Sequence, residues 1–253
     1  MNNFIIPDWD APFGVKSLVT TRLGGVSAAP YDTFNLGNHV GDNLESVRQN
    51  RQILRKYLPS EPLWLNQTHS DNVLQISEPD LVNNKTLAEN LLLPHDASYT
   101  YSKNKVCVVM SADCIPILLT DKKASFVAAI HAGWRGVENG IIASTIGQIC
   151  KDVANIIAYI GPAICKDHFE VGPDVLEMFT QKDKNYGLYF NKNGTGKFNC
   201  DLTGITRSQL LKCGLLANNI YLSGMCTYCD KERFFSYRRD GITGRIASLI
   251  WLS

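Results

Sequence analysis

Three apolar runs lying close together constrain the fold more than any other feature of this sequence. Val106–Met110, Ile115–Leu119 and Phe126–Ile130 each have strand length and are rich in β-branched and other apolar residues. Continuous rather than alternating hydrophobicity marks strands covered on both faces. A fourth such run, Asn155–Ile160, stops at Gly161-Pro162. Strands of this kind need further layers around them, and the chain offers helices. One is capped by Asp42 or Asn43 and runs to about Leu58, with Leu44, Val47, Leu54 and Leu58 near one face and Pro59 ending it. A second follows a Gly-rich turn at 131–136 and runs to about Cys150. A third starts at Pro173 and runs to Thr180, and a fourth is capped by Asp201 and ends near Gly214. Val15–Thr20, Ile220–Leu222, Phe234–Tyr237 and Arg245–Trp251 read as further strands. Strands and helices mix without a strict βαβ rhythm. The expected class is therefore α+β, a mixed-sheet core with helices outside, rather than a doubly wound parallel sheet.

A chain of 253 residues allows one large domain or two small ones. No low-complexity tract, repeat or linker divides it, so a single domain over 1–253 is expected. The most polar stretches, around Asn83–Lys85 and Lys182–Lys197, are short, and Asn193-Gly194-Thr195-Gly196 reads as a loop or hairpin tip. Lys+Arg (25) and Asp+Glu (24) nearly cancel, which excludes a protein working mainly as a basic nucleic-acid clamp. No apolar run approaches the ~20 residues of a membrane span. The N-terminal segment lacks a basic start and is broken by Pro7 and Asp8, unlike a signal peptide. A cytoplasmic location is expected, with the eight cysteines as thiols rather than bridges.

His69, Cys114 and His131 each fall where an apolar strand meets a turn, a place from which side chains can be aimed into one cleft. Two imidazoles and a thiolate suit zinc, and three protein ligands leave a fourth position for water or substrate. The same atoms also suit a thiol nucleophile, with a histidine as base and Asp113 or Asn66 orienting it. No local metal motif decides between these readings. Cys226-Thr227-Tyr228-Cys229 is a C-x-x-C, but no second pair stands near it in the chain, so two thiols in a packed turn are expected. It also lacks the companion H-x-E of zinc deaminases. Glycine-flanked arginines at Arg22, Arg135 and Arg238–Arg239 could hold an anion in a shared pocket. His39, His95 and His168 stand in loop-like contexts and are expected to be structural or at the surface. Tyr31, Phe34, Phe235 and Tyr237 could stack a base, though aromatic residues are more often core.

The motifs TTRLGGVS (20–27), FNLGNHVGDN (34–43), WLNQTHSDNV (64–73), SADCIPIL (111–118), HAGWRG (131–136), IGPAI (160–164), FEVG (169–172) and FFSYRRDGITGRIAS (234–248) occur in this order. Together they resemble the YfiH-type laccase-domain family, along nearly the whole chain. The resemblance implies a single-domain fold of mixed sheets packed as a sandwich with helices outside. It implies a metal site at His69, Cys114 and His131, with zinc as cofactor and copper as the alternative. Arg22, Asn35 and Arg135 are the candidate substrate-binding residues. The implied activity is phosphorolysis of purine nucleosides (adenosine, inosine, methylthioadenosine) with adenosine deamination beside it. Copper-dependent oxidation of phenols is the older description. A blue-copper centre would take two histidines and a cysteine, and this chain has only five histidines, too few to add a trinuclear cluster. The expected partners are a nucleoside and phosphate, with no nucleic acid and no membrane, and a monomer is the default. Two other classes remain open from the residues: a metal-independent cysteine hydrolase acting on amides, and a non-enzymatic binding protein.

Overall fold

The computed structural model describes residues 4–77, 94–149 and 152–253. The polar stretch at 83–85 and Cys150 lie outside the described residues. The three central apolar runs are strands β5 (Val106–Ser111), β6 (Ile115–Asp121) and β7 (Val127–Ala132), buried throughout. They divide between two sheets. β5 is the edge of a four-stranded antiparallel sheet ordered β1-β2-β13-β5, with β1 at Phe4–Ile5, β2 at Val15–Thr20 and β13 at Ile246–Leu252. β6 and β7 pair antiparallel at the centre of a six-stranded mixed sheet, ordered β12-β8-β6-β7-β4-β3. Its other strands are β3 (Val73–Gln75), β4 (Ala97–Thr100), β8 (Ile156–Ile160) and β12 (Ile220–Leu222), and its two outer pairs are parallel.

Side chains alternate along each strand, so every sheet has two faces to cover. Cys107, Val109, Val19 and Ile250 of the smaller sheet face Leu118, Val127, Ala129 and Tyr159 of the larger one. On the far side of the larger sheet, Ile117, Leu119, Ala128 and Ile130 pack with Ile141, Ile142 and Ile146 of helix α3 (Ile141–Ile149). On the far side of the smaller sheet, Val108, Leu18 and Leu249 meet Phe34, Leu58 and Leu54 of helix α1 (Leu44–Arg55). Each fully buried aliphatic side chain contributes about 1.5–3 kcal/mol. The result is an α+β sandwich of mixed sheets with helices outside, as the sequence predicts. A three-stranded ribbon, β10 (Phe190–Lys192), β11 (Phe198–Cys200) and β9 (Glu170–Val171), lies beyond it, and Asn193–Gly196 is the tip between β10 and β11.

Several local readings shift. Asn43 rather than Asp42 caps α1, its side chain accepting from the Glu45 and Ser46 amides. The Gly-rich turn after β7 shrinks to one residue. His131 and Ala132 are still strand, Gly133 is the N-cap, and helix α2 begins at Trp134 (Trp134–Asn139). Gly140, at φ 99°, then separates α2 from α3. Helices α4 (Pro173–Lys182) and α5 (Leu202–Lys212) lie where expected, the latter capped by Asp201 accepting from Gly204 N–H. Phe234–Tyr237 is not a strand. Phe234 and Phe235 are fully buried anchors of a loop, and Ser236 caps the short helix α6 (Tyr237–Asp240). A short apolar run signals burial, and periodicity alone cannot say in which conformation.

Candidate metal centre and active-site cavity

His69, Cys114 and His131 converge. Their ligand-capable atoms lie within 4.8 Å of one another. Cys114 Sγ is 3.6 Å from His69 Nε2. A tetrahedral zinc with its usual S and N bond lengths spans an S···N edge of about 3.6 Å, so the pair is spaced for a shared cation. His131 ends β7, and Cys114 stands between β5 and β6, so both ride on rigid strand ends. Gly133 explains why His69 and the thiol can approach. A Cβ at that position would lie 2.3 Å from His69 Cδ2 and 3.1 Å from Cys114 Sγ. Only a residue without a side chain leaves the space open.

Asp96, just ahead of β4, organises the cluster. It is fully buried. One oxygen accepts from His131 Nδ1 at 2.7 Å and from the His69 amide at 3.0 Å. The other accepts from the Thr68 amide and from the amide and hydroxyl of Ser70. The carboxylate thus fixes the His131 ring, leaving Nε2 free to face a cation, and shapes the loop that carries His69. That loop needs shaping: His69 has φ 65°, in the left-handed region. Asp113 is more strained, at φ 111°. Its carboxylate accepts from Thr227 Oγ1 and from the Arg238 amide, both at 2.7 Å. Neither Asp113 nor Asn66 orients a histidine; Asp96 does.

Electrostatics couple these groups. Burial works against the Cys114 thiolate, but His131 and His69 outweigh it and hold the thiol below its ordinary value. Burial works against the charged His131 ring, but Cys114 and Asp96 outweigh it and hold the ring above its ordinary value. Burial also opposes the Asp96 carboxylate, and its bonds with His131 and Ser70 still hold it at about 2. A thiolate, an oriented imidazole and a buried carboxylate behind it fit the needs of a soft divalent cation.

The cluster opens on a cavity of about 540 Å³, within the ordinary range for small-molecule sites. Arg135, Arg238 and Arg245 line it, with Trp134, Phe169 and Tyr237. Among the described residues, no carboxylate forms an ion pair with any of the three arginines. Burial holds the Arg245 guanidinium below its usual value, and it donates to the Thr243 and Gly244 carbonyls. Ser111 Oγ, also on this wall, is buried without a hydrogen-bond partner among the described residues.

The three residues expected to bind substrate divide. Arg135 lines the cavity. Arg22 does not. It pairs with Asp32 at 3.3 Å, donates to the Asp32 and Lys231 carbonyls, and lies over the Phe235 ring in a separate surface depression. Asn35 is fully buried beneath the wall. Its Oδ1 accepts from the Gly37 and Arg245 amides, and its Nδ2 donates to the Gly37 carbonyl and Asp42. It therefore reaches the cavity only through Arg245. Sequence reasoning missed Arg245 and Asp96. Arg245 sits between Gly244 and β13 as one more glycine-flanked arginine. Asp96 was visible only as an acid entering a strand whose every residue is buried.

Fold and site define an α+β sandwich protein with a His/Cys/His cluster at the wall of a small-molecule cavity. The chain belongs to the family described as multi-copper polyphenol oxidoreductase laccase, whose model matches residues 16–253. It is 41% identical to "Purine nucleoside phosphorylase YfiH" of Escherichia coli (strain K12), over the full length of both chains. It is 44% identical to a purine nucleoside phosphorylase of Haemophilus influenzae, over 98% of each. Among solved structures, a Neisseria meningitidis protein matches at TM-score 0.90 and 43% identity across both whole chains. The Bacillus licheniformis hypothetical protein YfiH matches at 0.86 and 31%, again over both whole chains.

Proposed function

We propose that this chain is a zinc-dependent purine nucleoside phosphorylase, acting on adenosine, inosine and methylthioadenosine, with adenosine deamination as a side activity. One observation carries the reading. The His69, Cys114 and His131 cluster shares its cavity with aromatic side chains and with arginines whose guanidinium groups form no ion pair with a carboxylate among the described residues. A nucleoside and an anion are the pair of ligands such a wall accommodates. The names of the relatives support the same reaction.

In phosphorolysis the bond from the sugar anomeric carbon to the purine nitrogen breaks. A bond to a phosphate oxygen forms, and the leaving purine takes up a proton. Positive charge develops on the sugar, as in glycoside cleavage. Arg245, half-buried and without a carboxylate ion pair among the described residues, would fork onto phosphate and aim it, with Arg135 and Arg238 at the exposed side. The phosphate in turn offsets the charge that develops on the sugar. Phe169 and Trp134 offer apolar faces to the base, and Ser111 Oγ offers a hydrogen bond. His69, Cys114 and His131 would hold zinc, which would supply a Lewis acid there. The thiolate and imidazole donors suit zinc, and five histidines in the whole chain are too few for a multicopper oxidase.

The test is turnover of inosine by zinc-loaded protein, with and without phosphate. Release of hypoxanthine and ribose 1-phosphate only when phosphate is present supports the reading. No release with both zinc and phosphate overturns it. Asp96, His131 and Cys114 also stand in the order of orienter, base and nucleophile. That arrangement, a metal-independent hydrolase acting on amides, predicts amide turnover after chelation and a covalent adduct on Cys114, with no phosphate-dependent release from inosine. We place the enzyme in the cytoplasm as a monomer. The seven described cysteines are free, as a reducing compartment leaves them. No helix among the described residues is long and apolar enough to cross a membrane.

A further inference from the structure

The C-x-x-C at Cys226–Cys229 lacks a companion pair in sequence, but folding supplies one. Cys165-Lys166-Asp167-His168 is a C-x-x-H, and the chain carries it onto the C-x-x-C. Backbone bonds join the two segments: Ala163 N–H donates to the Met225 carbonyl, and Thr227 N–H to the Ala163 carbonyl. Within the first segment, the His168 and Phe169 amides both donate to the Cys165 carbonyl, a turn that brings His168 back over Cys165.

We propose that Cys165, His168, Cys226 and Cys229 bind a second zinc ion, in a closed structural site separate from the His69, Cys114 and His131 cluster. The four ligand-capable atoms lie within 4.8 Å of one another. His168 Nδ1 is 3.1 Å from Cys165 Sγ and 3.4 Å from Cys229 Sγ, and those two sulfurs are 4.0 Å apart. Tetrahedral zinc spans S···N edges of about 3.6 Å and S···S edges of about 3.8 Å. Little movement is needed to close the site. Three thiolates and a neutral imidazole complete the coordination, as in structural Cys₃His sites, and the thiol protons leave on binding.

Two features beyond the cluster point to thiolates held for a metal. The Cys165 amide donates to Cys226 Sγ at 3.2 Å, an N–H···S bond that favours the anion. The His168 ring is also fixed. It stacks on Tyr228 at 4.1 Å between centroids and 18° between planes, with Nδ1 turned to the sulfurs.

The position explains what the ion would do. Ile164 and Phe169 flank the C-x-x-H and line the active-site cavity. Thr227, inside the C-x-x-C, donates to Asp113, the residue next to Cys114. Arg239 donates to the Thr227 and Tyr228 carbonyls, beside cavity-lining Arg238. The second zinc therefore adds a staple between two cavity walls already joined by backbone bonds, the His168–Tyr228 stack and the Arg238 bond to the Glu170 carbonyl. The proposal does not depend on which substrate the enzyme uses.

The experiment is metal counting by elemental mass spectrometry on untagged protein purified with a thiol reductant from zinc-supplemented cells. The expected result is about two zinc ions per chain in wild type, about one in Cys114→Ala and about one in His168→Ala. His168→Cys, which restores a ligand, should return to about two. Cobalt loading of Cys114→Ala, a variant that keeps all four proposed ligands, should give sulfur-to-cobalt charge-transfer absorption. That readout does not require the second-site variants to fold. One metal in wild type, absent from Cys114→Ala and unchanged in His168→Ala, overturns the proposal. So does a Cys226–Cys229 or Cys165–Cys229 disulfide in the freshly reduced, zinc-treated protein, or cobalt-loaded Cys114→Ala without thiolate absorption. Loss of one zinc from each single variant, with inosine turnover abolished in Cys114→Ala and only reduced in His168→Ala, would separate the structural from the active-site ion.

Discussion

Replacing Gly133 with alanine tests the cluster without touching any ligand. The backbone should accept the change: Gly133 has φ −67° and ψ 160°, open to any residue. Stiffening the unfolded chain contributes about 0.4–1 kcal/mol in favour of folding, against a small loss at the helix N-cap. The fold should therefore survive. The new Cβ, however, would sit 2.3 Å from His69 Cδ2 and 3.0 Å from His69 Nε2. Ordinary contact begins about 1 Å farther out. The His69 ring must retreat by roughly that much, whereas a metal bond tolerates about 0.2 Å. Losing one of three ligands should cost at least the upper end of what outer-shell changes cost, about 100-fold in zinc affinity or about 2.7 kcal/mol. Competition with a zinc-chelating dye measures this, and circular dichroism checks the fold. A well-folded Gly133→Ala protein with wild-type zinc affinity and wild-type inosine turnover would refute both the ligand assignment and the steric argument.

Asp96→Asn should lower zinc affinity at the same cluster by about 10–100-fold, because the amide cannot serve His131 and the 68–70 loop as the carboxylate does; unchanged affinity in the same dye competition would deny Asp96 its orienting role. Arg245→Ala should raise the KM for phosphate more than that for inosine. Arg22→Ala should leave both constants alone and cost about 0–1 kcal/mol of stability, since its partner Asp32 is half exposed; steady-state kinetics on the pair distinguishes the cavity from the surface depression. After chelation, iodoacetamide at neutral pH should label Cys114, and zinc should protect it. Cys107 and Cys200, whose thiols burial pushes up to about 12, should stay unlabelled in both states, as peptide mass mapping would show.

What was legible in the sequence was whatever depends on the chain's own neighbourhood. The unbroken apolar runs of β5, β6 and β7 declared strands covered on both faces, and the Asp42–Asn43 pair, Pro173 and Asp201 declared helix starts. His69, Cys114 and His131 stood out because strand ends bordered by turns are where a fold can aim side chains. Partnerships across the chain left no such mark. Asp96 reaches His131 across 35 residues, and the amide of Arg245 meets Asn35 across 210. The glycine-flanked arginines looked alike in sequence. Only the fold shows that Arg22 spends its charge on Asp32 while Arg245 has no carboxylate partner among the described residues. The Phe234–Tyr237 run misled for the converse reason: Phe234 and Phe235 are core, but the backbone there is needed to turn Arg238 and Arg239 toward their partners.

Asp113 links these observations. A non-glycine residue at φ 111° costs about 1–3 kcal/mol, and such strain persists only where the surroundings over-determine it. Here the Thr227 hydroxyl and the Arg238 amide hold its carboxylate, and its own carbonyl accepts from the Ile164 amide. Two of those partners, Thr227 and Ile164, belong to the two segments that meet at Cys165, His168, Cys226 and Cys229. The strained turn at Asp113 in turn delivers Cys114 to the two histidines. The geometry of the active-site thiolate is therefore set partly from the second cluster. Loosening that cluster should first appear as weaker zinc binding at Cys114 and a lower kcat, before the sandwich itself unfolds. In His168→Ala this means reduced zinc affinity at the first site with the main thermal transition retained. A His168→Ala protein that keeps both wild-type affinity at Cys114 and wild-type kcat would show that the two clusters are mechanically independent.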